Sequence, residues 1–213
     1  TLDSAEGVKY FYPLVPLQRE ARLVPNDPLF ADQWHLQNTG QTGGLPGADA
    51  NVVNVWDTYL GNCVVIGVVD DGMDTVHPDL TNQFRSDLSW DFNFNDPDPA
   101  HDMLFDGHGT AVAGVAAAQG NNAQGVSGAA PGAELAALRL ISLPSTDAQE
   151  AAALTYRYTV IPTVNTDVID IYSNSWGPAD AWDWLMGPGP LTMAAMNDAM
   201  NNGRGGLGSI YTW

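Results

Sequence analysis

The sequence is poor in cysteine and basic residues, and it has no long apolar run. Cys63 is the single cysteine among 213 residues, which excludes a disulfide within this stretch and any metal site with several cysteine ligands. Seven Lys and Arg stand against 25 Asp and Glu, giving a formal net charge of −18. Because phosphate contacts require many basic side chains, this balance argues against binding to nucleic acid or to phosphate-rich membrane surfaces. No run of about 18 apolar residues occurs, so no membrane-spanning helix is expected.

The acidic residues are mostly aspartates, with 21 Asp against 4 Glu. Short carboxylates are common in loops, and calcium-binding loops are one such place. A halotolerant or merely soluble surface accounts for the same bias. The length suits one domain, because a chain of this size buries roughly 70% of its unfolded surface in a single core.

Apolar strand-like runs alternate with helix-like segments along the chain. Strands are predicted at 63–69, 134–140, 168–172 and 208–213, and helices at 107–118, 146–158 and 191–201. The first strand is apolar on both faces, which is typical of a central strand in a parallel sheet. Thr146 and Gln149 have the spacing of a capping box at the start of the second helix. The order predicts a three-layer α/β/α domain with a mostly parallel sheet.

The two ends of the chain differ from the rest of it. Residues 1–25 are aromatic and interrupted by proline, and we interpret them as an extension that precedes a domain at 26–213. The chain ends on an apolar strand-like run at 209–213, which favours a domain truncated at the C-terminus, with more sheet to follow. An edge strand at a natural terminus is the alternative.

Asp70 and His108 are the candidate catalytic pair. Asp70 ends the first predicted strand beside Gly72, and His108 lies between two glycines at the start of a helix of small residues. A buried carboxylate that accepts a hydrogen bond from one imidazole nitrogen fixes the tautomer and leaves the other nitrogen to act as a base. A lone histidine is more often an ordinary loop or core residue, but the flanking glycines and the upstream Asp favour the catalytic interpretation.

Several motifs in this order resemble those of the subtilisin-like serine proteases. They are Val68-Val69-Asp70-Asp71-Gly72, His77-Pro78-Asp79-Leu80 and His108-Gly109-Thr110-Ala111-Val112-Ala113-Gly114. Two further segments narrow the resemblance to the kexin/furin-like proprotein convertases, namely Ser173-Asn174-Ser175-Trp176-Gly177-Pro178 and Gly203-Arg204-Gly205-Gly206-Leu207-Gly208-Ser209-Ile210. The resemblance extends from about Asn26 to Trp213. It implies a subtilisin-like fold and a triad in which Asp70 orients His108 and His108 deprotonates a serine.

The nucleophile of that triad is not found in the sequence. In the family the serine lies in a Gly-Thr-Ser motif, and no such motif occurs in the 213 residues. We therefore expect the serine and the oxyanion asparagine beyond Trp213. The 213 residues alone are expected to be inactive as a serine endopeptidase.

The resemblance also implies calcium as a cofactor. In the loop after the histidine helix, Asn122 would offer its side-chain oxygen, and Gly120, Gln124 and Val126 their carbonyls. The family adds carboxylates that match Asp27 and Asp79, which suits the six to eight oxygens that calcium takes. Asp91, Asp96 and Asp98 match a second convertase calcium site. The alternative is that the Asp-Pro turns only cap exposed loops.

The resemblance also implies residues for substrate recognition. In convertases the residues that match Asp71 and Asp180 face basic side chains of the substrate, where an arginine–carboxylate pair gives selectivity. The segment Ser175, Trp176 and Gly177 would pair with an extended substrate as an added strand. Phe105 and Met186 stand where furin-like members have acids, so we expect a basic residue before the scissile bond and leave the second basic residue open. Asp180 could instead only begin a turn.

The partners follow from the same resemblance. We expect a polypeptide substrate, a secreted monomer, and inhibition by the protein's own propeptide, cut after Arg19 or Arg22. A plain extension is the alternative for residues 1–25.

Two other functions are weighed against the protease. The first is a non-catalytic calcium-binding or inhibitor-binding module that keeps the fold. A zinc hydrolase using His101, Asp106 and His108 is the second and weaker alternative, because no His-Glu-x-x-His helix occurs.

Overall fold

The computed structural model describes residues 24–101, 105–159, 168–177 and 187–213. These residues form a five-stranded sheet in the order β2-β3-β1-β4-β5, in which every pair of neighbours is parallel. The strands are β1 (Val65–Asp70), β2 (Trp90–Asp91), β3 (Glu134–Arg139), β4 (Ile171–Asn174) and β5 (Ile210–Thr212). All six residues of β1 are buried, which confirms the prediction of a central strand from its apolar run.

The main helices are α1 (His108–Ala117), α2 (Asp147–Leu154) and α3 (Pro190–Gly206), and short 3₁₀ helices occupy Phe30–Asp32, Val52–Asn54 and Ser86–Leu88. α2 begins with the predicted capping box between Thr146 and Gln149. α3 loses helical geometry at Gly203, Arg204 and Gly205, where the sequence predicted its end. The positive φ values of Arg204 and Gly205 explain why the regular helix cannot continue.

The two faces of the sheet carry separate apolar clusters. Val65 and Val69 of β1 pack with Leu154 of α2 on one face, whereas Ile66 and Val68 pack with α1 on the other. This division follows from the alternation of side chains along a strand. With helices on both faces, the predicted three-layer α/β fold is confirmed.

The differences from the predicted elements are local. β2 lies within residues 81–107, a polar stretch rich in Asp and Pro, and its two residues are too few to give a periodic signal. β4 begins at Ile171 and runs on to Asn174, whose buried amide donates to Thr212 O at 3.1 Å and so joins β4 to β5. Nearly all of the predicted extension at 1–25, including Arg19 and Arg22, lies outside the described residues. Within the described part of the chain, no helix has both the length and the apolar character needed to cross a bilayer.

Candidate active site

The candidate site lies where β1 ends, at the carboxyl edge of the sheet. Asp70 is the last residue of β1, and its side chain is 1% exposed. β3 and β4 flank β1 on either side, so the segments that follow all three strands meet at this edge. Ligands of open α/β sheets bind at this edge, and side chains from distant parts of the sequence converge there.

The structure brings Asp70 and His108 into hydrogen-bond contact. His108 Nδ1 lies 2.8 Å from Asp70 Oδ1 and 3.0 Å from Oδ2. Donation from Nδ1 to the carboxylate places the lone pair of the neutral imidazole on Nε2. Because the His108 side chain is 54% exposed, its ring can be reached by a substrate or a hydroxyl group. The pair therefore has the arrangement of an oriented general base.

The two groups perturb each other's protonation. The hydrogen bond to Asp70 raises the pKa of His108 above its usual range, although burial of the ring acts in the opposite direction. Burial raises the pKa of Asp70, while the hydrogen bond from His108 opposes that rise. Perturbed pKa values in a pair of this kind are common at catalytic sites.

Asp71 follows β1 in the sequence, and its carboxylate lies at the N-terminus of α1. It is 8% exposed, and its carboxylate accepts hydrogen bonds from His108 N at 3.1 Å and Gly109 N at 2.7 Å. The approach of the two segments depends on glycine, because a Cβ on Gly109 would stand 2.2 Å from Gly72 O. Recognition of a basic substrate side chain by Asp71 stays a prediction. Asp180 and Met186 lie outside the described residues.

A buried arginine behind the site was not anticipated from the sequence. Arg139, at the end of β3, is 1% exposed. Its guanidinium donates to Asp71 O (3.2 Å), Asp91 (3.0 Å), Asp106 (2.9 Å) and Ser142 Oγ (2.9 Å). A basic residue directly after the apolar residues 135–138 of β3 was the signal that could have revealed it, since buried charges require partners.

The segment Ser175–Gly177 extends from the end of β4, at the same edge as Asp70. Trp176 Nε1 donates to Val69 O in β1 at 2.9 Å. Trp213 Nε1 donates in turn to Trp176 O at 2.9 Å, and the two indole rings meet edge to face. Both tryptophans thus fix the segment against the sheet, while Ser175 and Gly177 remain exposed.

The first predicted calcium set gathers around one loop. Asp27 and Asp79 are 4% and 2% exposed. Asp27 accepts from the amides of Asn121 and Asn122, at 2.7 and 3.0 Å, and Asp79 from that of Val126 at 3.0 Å. A Cβ on Gly125 would stand 2.0 Å from Asp79 Oδ2, so glycine is needed for the loop to close over that carboxylate.

Some of the donor atoms around this loop suit a calcium ion, and the Asn122 side chain does not. Two buried carboxylates beside carbonyl and amide oxygens are hard donors of the kind that calcium prefers. The Asn122 side chain, however, directs Nδ2 to Asp79 at 3.0 Å, and its Oδ1 accepts from Gln124 N at 2.8 Å. The carbonyls of Gly120, Gln124 and Val126 remain predicted ligands.

The other two predicted metal groups are the zinc set and the second calcium set. No group of three or more His, Cys, Asp or Glu side chains suited to a metal occurs among the described residues, and this includes the zinc set of His101, Asp106 and His108. In the predicted second calcium set, Asp91 pairs with Arg139 at 3.0 Å. Asp96 accepts from Asp98 N and Asp98 from Ala100 N, as in ordinary turns.

Comparison of the sequence with known proteins finds a matching family and several similar proteins. The model of the subtilase family matches residues 61–213. Neuroendocrine convertase 2 of Rattus norvegicus is 47% identical over 194 residues, covering 88% of this chain and 29% of the relative. The dibasic-processing endoprotease of Schizosaccharomyces pombe is 44% identical over 189 residues, covering 88% and 25%. The chain thus spans less than a third of the length of these two relatives.

A solved structure supports the α/β fold described above. The serine protease of Aeromonas sobria, in complex with a chaperone, superposes with a TM-score of 0.74 at 26% identity. The match covers 89% of this chain and 32% of that one.

Proposed function

Because this chain belongs to the subtilase family, we propose that it is the N-terminal part of a serine endopeptidase domain that cleaves polypeptides after basic residues. The hydrogen bond between His108 Nδ1 and Asp70, at the carboxyl edge of the sheet, is the observation that carries the proposal. The preference for basic residues rests on the similarity to the convertases and to the dibasic-processing endoprotease.

In the proposed mechanism, Asp70 stays ionised and accepts the Nδ1 proton of His108. His108 Nε2 then takes the proton of a serine hydroxyl as that oxygen attacks the scissile carbonyl, and later returns it to the leaving amine. Asp70 stabilises the imidazolium that forms between these steps. The serine is proposed to come from sequence beyond Trp213, since no Gly-Thr-Ser motif occurs in the 213 residues.

The substrate is proposed to bind as an extended strand along Ser175–Gly177. Two anchoring hydrogen bonds, from Trp176 Nε1 to Val69 O and from Trp213 Nε1 to Trp176 O, support this role because they hold the segment in place before substrate arrives. The protein's own propeptide would occupy the same edge as an inhibitor. A secreted location and a monomeric state are part of the same proposal.

The full-length protein should cleave a peptide with Arg before the scissile bond and spare the matched peptide with Leu. The test compares kcat/KM for the two peptides, with a His108→Ala protein as the control for contaminating peptidases. Equal cleavage of both peptides would contradict the basic preference. No cleavage of either by a folded, processed protein would favour the non-catalytic module instead.

We further propose that Asp27 and Asp79 hold a calcium ion with oxygens of residues 120–126. When bound, the ion would neutralise two buried carboxylates and tie the loop to the start of the domain. The second set, Asp91, Asp96 and Asp98, stays a prediction, in which Asp91 would have to serve both Arg139 and the ion.

Chelating calcium should lower the melting temperature of the full-length protein, because a ligand that binds only the folded state stabilises it. At a calcium concentration about 100 times the Kd, the stabilisation is about 2.7 kcal/mol. Asp79→Asn should lose most of the calcium-dependent shift, measured by differential scanning calorimetry. Asp32→Asn, which changes an exposed carboxylate on the neighbouring 3₁₀ helix, is the matched control and should keep the shift. A midpoint that chelation leaves unchanged would refute the site.

A further inference from the structure

Helix α1 begins without a cap from its own sequence. Its N-cap residue is Gly107, which offers no side chain to the first amides of the helix. The amides of His108 and Gly109 instead donate to the two carboxylate oxygens of Asp71, which lies 37 residues before His108. A carboxylate at a helix N-terminus satisfies orphan donors and interacts favourably with the helix dipole.

The neighbouring carboxylates of Asp70 and Asp71 therefore hold the same histidine in two places. Asp70 accepts from the imidazole ring, whereas Asp71 accepts from the backbone that carries it. The main chain of Asp71 is fixed as well, because its amide donates to Asp70 Oδ1 at 2.8 Å and its carbonyl accepts from Arg139 at 3.2 Å. Movement of the Asp71 carboxylate would thus be transmitted directly to His108.

We propose that Asp71 is a positioning residue, whose carboxylate caps α1 and thereby sets the place of the His108 imidazole relative to Asp70. This role rests on the proposed function and goes beyond recognition of a basic substrate side chain. Both carboxylate oxygens already accept from α1 at 2.7 and 3.1 Å, and the residue is only 8% exposed. These contacts favour an internal role over one directed to the substrate.

The chain offers a matched control for a capping effect that does not involve the site. Asp147 accepts in the same way from the amides of Leu191 and Thr192 at the start of α3, each at 2.9 Å. Asp147→Ala therefore removes a cap with two acceptor oxygens from another helix. It should cost stability as Asp71→Ala does, and it should leave kcat unchanged.

In the full-length protein, Asp71→Ala should lower kcat about 10- to 100-fold, since small misplacements of a catalytic group have effects of this order. The loss should be equal for peptides with a basic or a neutral residue next to the one at the scissile bond, with little change in KM. Asp71→Ser, which keeps one acceptor oxygen, should recover part of the loss. Activity is compared below the melting temperature of each variant.

A second readout does not depend on turnover. In protein with ¹⁵N-labelled histidine, the Nδ1–H resonance of His108 should shift or broaden in Asp71→Ala and stay unchanged in Asp147→Ala. A KM increase confined to peptides with a second basic residue, with normal kcat and a normal His108 resonance, would overturn the proposal. If the wild-type protein hydrolyses no peptide, the proposed function fails, and the resonance still decides whether Asp71 positions His108.

Discussion

The full-length protein carrying Asp70→Asn is expected to hydrolyse its peptide substrate about 10⁴-fold more slowly than the wild type. The substitution keeps the size of the side chain but lets an amide donate to His108 Nδ1, which places the proton of the neutral ring on Nε2. A ring protonated at Nε2 cannot accept the serine proton. The measurement is kcat for a peptide with Arg before the scissile bond.

His108→Ala is the companion variant and should be as inactive as Asp70→Asn or more so. Because its side chain is half exposed, its removal should leave the far-UV circular dichroism unchanged. Wild-type turnover in either folded variant would remove the pair from the mechanism. Loss of activity together with loss of the far-UV signal would instead show that the residue has a structural role. Asp147→Ala, which should cost stability away from the site, is the comparison for that outcome.

The same pair predicts the direction of the pH dependence. In the proposed mechanism hydrolysis requires neutral His108, and the hydrogen bond to Asp70 raises the pKa of that imidazole. The acid limb of the kcat/KM profile should therefore lie above the usual histidine value of about 6.5 and move to lower pH in any residual activity of Asp70→Asn.

The stability of the protein should depend on pH in the opposite direction to its activity. The hydrogen bond between His108 and Asp70 favours the imidazolium, so it stabilises the folded protein at low pH. Its contribution is present below about pH 6.5 and is lost as the pH rises through the raised pKa.

The parts of the site that the sequence predicted were those encoded by local patterns. The apolar run of β1 predicted a buried strand, and the carboxylate at its end was expected at the edge where ligands bind. The glycines beside His108 marked an exposed ring at the start of a helix. Each of these features depends on a few neighbouring residues, so it can be predicted from one sequence.

The parts that the sequence did not predict depend on contacts between distant segments. Asp71 caps a helix that begins 37 residues later, and no local signal distinguishes such an acid from one that faces the substrate. Arg139 binds Asp91, 48 residues away, and Asp106, 33 residues away. Nothing near Arg139 in the sequence specifies those partners. Likewise, β2 has only two residues, and its pairing with β3 defines it.

Arg139→Met should destabilise the protein by about 3–5 kcal/mol, the usual cost of removing one partner from a buried ion pair. The guanidinium joins the end of β1, through Asp71 O, to β2 and to the loop before α1. Its loss would leave Asp91, which is 1% exposed, as a buried carboxylate without its counterion. The free energy of unfolding is measured in urea from tryptophan fluorescence of the full-length protein.

Arg85→Met is the matched control, because Arg85 also pairs with two carboxylates, while its own side chain is partly exposed, at 21%. Its partners Asp87 and Glu134 have side chains 61% and 41% exposed, so the expected loss is at most about 1 kcal/mol. Adding Asp91→Asn to Arg139→Met should recover part of the stability, since the unpaired charge is then removed. Equal losses for Arg139→Met and Arg85→Met would contradict the structural role of the buried guanidinium. If the two losses differ as expected, a buried side chain at the end of β3 stabilises the segments that follow β1 and precede α1, where Asp71 and Asp106 lie.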